Sequence, residues 1–286
     1  MTSNVLNLNN LRLAMLIDAE NISHKHLKCI MEEIALYGSP TIKRIYGDWT
    51  QDSMDRWKAP LLENAITPIQ QYSYTSGKNS SDSALIIDAM DVLYTARTDG
   101  FVIVSSDSDF TRLAIRLREA GQRVIGVGEK KTPNAFIAAC DKFIYIEVIR
   151  KNAQDSKSED SAHDHAAEEH VPEEHASDGH AQKGAAAARG KLSPIKPKTV
   201  QPKVPVDIVS QIAVSISDLA GDDEWVFLGE LGNLLQKKMP DFDQRNYGFR
   251  NLSSLMKSID RFELDFRQTS DNNIKHPYVR DRQAQC

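Results

Sequence analysis

The chain lacks any apolar run near the length of a membrane span, although 41% of its 286 residues are hydrophobic. Its start, Met1-Thr2-Ser3-Asn4, has neither the basic flank nor the apolar stretch of a secretory signal. No membrane contact and a cytoplasmic location are expected. Cysteine is scarce. Cys29, Cys140 and Cys286 are odd in number and far apart, which points to neither a disulfide framework nor a zinc knuckle but to two packed thiols and one free terminal thiol. A surplus of positive charge is also missing: 35 Lys and Arg against 40 Asp and Glu leave a formal net charge of -5. A protein that grips nucleic acid over its whole surface is therefore not expected, whereas local binding depends on where the cations sit.

Large apolar residues are nearly absent between about residues 150 and 203, where Ala, Glu, Asp, His, Lys and Pro dominate. Such a stretch cannot bury a core, so a disordered linker is expected over 151–203, between domains at 1–150 and 204–286. Its charges are segregated. Asp155 to Asp178 is acidic except for Lys157, while Lys183, Arg189, Lys191, Lys196, Lys198 and Lys203 have no acid among them. On composition this is a solvated spacer whose basic end could touch a nucleic-acid backbone at low salt. His163, His165, His170, His175 and His180 have no fold to fix their geometry, so adventitious metal binding is the most they suggest.

Before the linker, apolar strand-like runs alternate with helical stretches. Strands are expected at Leu13 to Ile17, Ile42 to Tyr46, Thr67 to Tyr72, Phe101 to Ser105, Val124 to Val127 and Phe143 to Ile146. Helices are expected around Leu27 to Tyr37, Asp52 to Asn64, Ser83 to Arg97 and Asp109 to Ala120, the last with Asp109 as N-cap and Gly121 just past its end. Such alternation implies right-handed crossovers and a doubly wound parallel sheet. After the linker, helical periodicity runs through Val206 to Leu219, Phe227 to Met239 and Tyr247 to Ile259. Phe262 to Phe266 then alternates strictly, with Ile274 to Val279 as a possible partner strand. Three short helices and a hairpin describe a small winged helix-turn-helix.

Acidic and amide side chains fall where the apolar runs stop. Asp18 and Asn21 follow the first run, Asp107 and Asp109 follow Phe101 to Val104, and Asp82 opens a helix after Lys78-Asn79-Ser80-Ser81. Alone, Asp18-x-x-Asn21 reads as a helix cap. Together, these carboxylates would meet at the carboxyl ends of parallel strands, where ligands bind, and would repel one another without a cation. Hard oxygen ligands suit Mg²⁺ or Mn²⁺, and such metals suit phosphate chemistry. Asp88 lies in a helix apolar nearly all round, expected to be buried, and needs either a paired structural partner or a role at the metal.

The succession Ile17-Asp18-x-x-Asn21, Lys78-x-x-x-Asp82-x-x-x-x-x-Asp88 and Ser105-Ser106-Asp107-Ser108-Asp109-Phe110, followed by Gly121-x-x-Val124, resembles the NYN domain of the PIN-like nuclease superfamily over about the first 147 residues. The resemblance implies a PIN-like sheet and a metal-dependent ribonuclease. Carried over position by position, it makes Asp18, Asp82 and Asp107 the acidic core, with Asn21, Asp88 and Asp109 in support. Asp18, Asp82 and Asp107 would ligate the metal, with Asp109 doing so directly or through water. Ser106 stands where many members have Gly, and a small residue can keep that turn.

The C-terminal pattern Trp225-x-x-Leu228-x-x-Leu231-Gly232, with Pro240-x-Phe242-Asp243-x-Arg245-x-Tyr247-Gly248 and Phe262-x-Leu264, resembles a LOTUS (Oskar-type helix-turn-helix) domain over roughly residues 204 to 280. In that family the module binds RNA or a protein partner. Lys237, Lys238, Arg245, Arg250 and Lys257 are candidate phosphate contacts and equally a solvated face. Arg44, Lys78, Tyr46 and Trp49 are weaker candidates for guiding RNA, the aromatics being as readily packing residues. Hydrolysis of RNA phosphodiesters is the favoured function. A non-catalytic RNA-binding adaptor and a magnesium-dependent phosphatase remain as alternatives.

Overall fold

The computed structural model describes residues 11–72, 80–151, 204–221, 224–268 and 275–284. Lys78, Cys286 and the linker with its histidines and basic block lie outside the described residues. The expected doubly wound sheet is present. It is a six-stranded parallel sheet of order β3-β2-β1-β4-β5-β6, built from β1 (Arg12–Asp18), β2 (Ser39–Gly47), β3 (Thr67–Gln70), β4 (Gly100–Val104), β5 (Arg123–Gly128) and β6 (Lys142–Tyr145). The strand order reverses between β1 and β4, and this switch point opens a crevice at their carboxyl ends.

Both faces of the sheet are covered, which explains why β1 and β4 read as unbroken apolar runs. Residues alternate between faces. Leu13, Met15 and Ile17 of β1 and Val102 and Val104 of β4 pack with α1 (Leu27–Ile34) and with Trp57. Ala14, Leu16, Phe101 and Ile103 pack on the other side with Leu85, Ala89 and Val92 of α3 (Ser80–Thr95) and Leu113 and Leu117 of α4 (Thr111–Glu119). A fully buried side chain of this size contributes about 1.5–3 kcal/mol.

Several local expectations differ from the structure. The stretch from Asp52 is not one helix: a 3-10 helix, Asp52–Trp57, precedes α2 (Lys58–Glu63). Pro60 has no N–H to give to a carbonyl four residues back, so an α-helix cannot run through it unbroken. α3 is not buried all round, since Ile87 and Tyr94 are 63% and 69% exposed. Asn134–Ala139 forms a helix, α5, too short for periodicity to reveal. Ile146, expected to end β6, instead starts a helix, α6, over residues 146–151. The end of α4 does follow the sequence: Gly121 has φ +79, its N–H donates to Arg118 O, and Gln122 N–H donates to Leu117 O.

Residues 204–284 enclose a separate core, in which Ile212 and Ile216 of α7 (Val206–Leu219), Leu231 and Leu235 of α8 (Leu228–Lys238) and Leu255 and Met256 of α9 (Leu252–Lys257) meet Phe262 and Val279. β8 (Phe262–Gln268) and β9 (Lys275–Asp281) form the wing, joined by the short β7 (Val226–Phe227). The third helix is shorter than its periodicity because Gly248 takes φ +81 and Asn251 caps α9, its side chain accepting from Ser254 N–H. Among the described residues no helix is long and apolar enough to cross a membrane.

The two cores are joined at the β6 edge. Phe143 N–H donates to Pro240 O at 2.8 Å, and the Tyr145 hydroxyl donates to Asp241 Oδ2 at 2.9 Å. Arg245 forks onto Glu33 of α1 at 2.6 and 2.9 Å and also holds Asp243. Its partner Glu33 is 7% exposed. Lys142 lies beneath this contact with its ammonium over the Tyr37 ring, and burial lowers its pKa. A sheet edge that would otherwise present unpaired N–H groups is thereby covered.

Candidate metal centre

Asp18 is the last residue of β1 and is 1% exposed. Its carboxylate is held by four donors. Oδ1 accepts from Glu20 N–H and Asn21 N–H at 3.0 and 3.3 Å, and Oδ2 accepts from Asn21 Nδ2 and Ser105 Oγ at 2.6 and 2.9 Å. Asn21 therefore orients Asp18. Ser105, which the sequence reading placed at the end of a strand, is a second anchor, and its Oγ also accepts from Asp107 N–H. Its position at the tip of β4 beside an acidic motif was the available signal.

The β4 turn is tightly seated. Ser106 Oγ accepts from Glu129 N–H at 2.9 Å, so the serine that replaces glycine ties the turn to the end of β5. Gly128 passes so close that a Cβ would lie 2.7 Å from Ser105 O. The cap residue is Asp107 rather than the expected Asp109: its Oδ1 accepts from Asp109 N–H at 2.9 Å, opening a 3-10 turn that leads into α4. Two carboxylates one residue apart thus divide the work, one bending the chain and both facing the crevice.

Asp82 enters from the first turn of α3 and is 7% exposed. Asp82, Asp107 and Asp109 each offer a carboxylate oxygen within 4.8 Å of the others. Burial, and then the charges of Asp18, Asp107, Glu20 and Asp109, push the Asp82 carboxyl up to about 7. Glu20 is a further acid at this site that the sequence reading did not single out. Such mutual repulsion among oxygen donors is what a hard divalent cation relieves, so the donor set fits Mg²⁺ or Mn²⁺. Asp18 stands beside this trio, and both its oxygens are already engaged.

Asp88 is not part of the acid cluster. It lies six residues beyond Asp82 on α3, roughly 9 Å along the axis, and is paired with the Arg44 guanidinium and the Tyr46 hydroxyl. Arg44 is therefore engaged by an acid. Tyr46 is fully buried, its phenol held protonated by burial and by Asp88. Trp49 donates its indole N–H to Ile69 O and lines an apolar hollow with Met54 and Lys58.

In the C-terminal region Arg245 is used by Glu33 and Asp243 and is not presented to solvent as a phosphate contact. Lys238 pairs with Asp218, and Lys257 sits over the Phe266 ring. Lys237 and Arg250 are exposed.

Comparisons with known proteins bear on both regions. Residues 12–147 match the family model described as NYN domain, and residues 200–274 match the OST-HTH/LOTUS domain. No curated protein matches the chain. Similar solved structures include a protein of unknown function from Vibrio parahaemolyticus, 18% identical, covering 51% of this chain and 96% of that one with a TM-score of 0.42. An uncharacterized protein from Nitrosomonas europaea is 28% identical over 34% of this chain and 92% of its own, with a TM-score of 0.27. These overlaps carry no functional conclusion.

Proposed function

Because the chain carries an NYN domain followed by an OST-HTH/LOTUS domain, we propose that it is a metal-dependent ribonuclease whose C-terminal module supplies affinity for RNA. The observation that carries this reading is the convergence of Asp82, Asp107 and Asp109 at the strand-end crevice, with Asp18 beside them. Asp82, Asp107 and Asp109 would hold Mg²⁺ or Mn²⁺. When bound, the ion supplies charge neutralisation at the scissile phosphate and a more acidic water.

The chain's own residues do the rest. Asp107 Oδ1 fixes the turn that aims Asp109, and Ser105 and Asn21 hold Asp18 so that its charge deepens the negative potential of the crevice. Asp18 would join the residues that hold the ion on giving up one of its four donors. The Asp88–Arg44–Tyr46 group ties α3 to β2 and so keeps Asp82 in place. The acids leave the substrate-facing crevice negative, so phosphate affinity has to come from cations elsewhere, a division of labour that the RNA-binding character of LOTUS modules supports.

The test is incubation of the full chain with mixed single-stranded and structured RNAs, with and without Mn²⁺, beside Asp107→Asn. Cleavage that needs the metal and disappears in the variant is expected. RNA binding without any cleavage would favour the adaptor reading, and phosphatase activity that RNA does not compete for would favour the small-molecule reading.

A further inference from the structure

Two cations without an ion-pair partner among the described residues face each other across the seam between the domains. Arg123 opens β5, and Lys237 lies in the last turn of α8. Both line a cleft of about 680 Å³, together with Arg118, Lys238 and the amides of Asn233 and Gln236. Arg118 pairs with Asp141 and Lys238 with Asp218. Among the described residues of the lining, Asp141 is the one acid, against four cations. A groove of about 830 Å³ shares Arg118, Arg123 and Asp141, adds Glu119 and the Arg12-paired Asp99, and extends the cleft past the start of β5.

We propose that this interdomain cleft is a binding site for an RNA phosphodiester backbone, separate from the acidic cluster. The proposal rests on the ribonuclease reading and adds where the substrate is held. Arg123 pairs with Gly100 at the first residue of β4, whereas the acids follow its last, Val104. At ~3.3 Å per residue the two ends of that strand lie roughly 13 Å apart along the sheet. Guanidinium forks, ammonium groups and side-chain amides match phosphate oxygens. Among the described residues no aromatic ring lines the cleft or the groove, so the backbone rather than stacked bases is what is recognised. The site is composite: Arg118 and Arg123 come from the NYN domain, Lys237 and Lys238 from α8. The Glu33–Arg245 pair and the Phe143–Pro240 hydrogen bond hold the two halves together.

The experiment measures fluorescence anisotropy of a labelled, mixed-sequence single-stranded RNA on the full-length Asp107→Asn protein, which should bind without cutting. Adding Arg123→Gln and Lys237→Gln should weaken binding severalfold at low salt and make the log–log salt slope shallower by roughly 1 to 2. Neither residue makes an ion pair among the described residues, so melting should change little. Glu33→Ala, which loosens the docking of α8, should cause a similar loss, and combining it with the two glutamines should add little. Unchanged affinity and slope in the double-glutamine protein would overturn the cleft while leaving the ribonuclease reading standing. If the Asp107→Asn protein binds no RNA at all, both fall. If the glutamines spare RNA but abolish binding of a peptide spanning residues 155–178, the cleft belongs to that acidic segment and the proposal is overturned.

Discussion

Burial and the surrounding carboxylates oppose the ionisation of Asp82, and that opposition has a measurable consequence. Its carboxyl is raised from the ordinary 3.8 to about 7. A raised group stabilises the fold fully below its unfolded pKa, and that stability is lost as pH rises through the folded one. Without divalent cations the protein should therefore lose stability between about pH 4 and pH 7. Asp82→Asn should flatten that part of a melting-temperature profile, as should excess Mg²⁺. A profile unchanged by the substitution would show that Asp82 does not titrate in this window. At the same scale, Ser105→Ala removes a donor to Asp18 without removing an acid. Supporting groups of this kind are worth about 10–100-fold in metal affinity or activity, so a loss in that range is expected in cleavage assays, against a larger one for Asp107→Asn.

The turn from β4 into α4 is the element on which chemistry and folding overlap. Asp107 caps the turn through Asp109 N–H and also faces the candidate metal. Asparagine keeps a capping oxygen and loses the charge; alanine loses both. Asp107→Asn should thus melt near the parent, whereas Asp107→Ala should be about 1 kcal/mol less stable in urea titration. Equal stabilities would mean the cap contributes nothing. At the far end of the same helix, Gly121 sits at φ +79 with open space around its Cα. Gly121→Ala should cost about 1 kcal/mol through backbone strain alone, read in the same titration.

At the scale of the whole molecule, the contact between the two cores changes what cutting the chain should do. We propose domain boundaries near residues 150 and 204, so limited proteolysis should cleave first between 151 and 203. Because Arg245, Pro240 and Asp241 are engaged with Glu33, Phe143 and Tyr145, the fragments should co-elute in size-exclusion chromatography. Glu33→Ala removes two charge-assisted bonds from a half-buried guanidinium that Asp243 still partners, a loss of about 2 kcal/mol in docking. The cut variant should separate into two peaks where the cut parent does not. Two peaks from the parent as well would mean that the contact is too weak to hold the fragments.

The sequence by itself determined what depends on neighbours along the chain. β-branched runs broken by helical periodicity set six parallel strands, and Gly121 marked the end of α4. The ordered spacing of Asp18, Asp82, Asp107 and Asp109 placed them all at strand ends or helix starts. It also left readings open that only distance in space could close. Asp88 was either a paired acid or a metal-site acid until Arg44 and Tyr46, more than forty residues away, were brought against it. Arg245 read as a surface cation because its partner, Glu33, is 212 positions distant. Ser105 reaches Asp18 only because β4 lies beside β1 in the sheet, and Arg123 drew no notice until α8 lay opposite it. Local periodicity and capping are encoded within a few residues, but hydrogen bonds, ion pairs and clefts form between groups that only the packed chain makes neighbours.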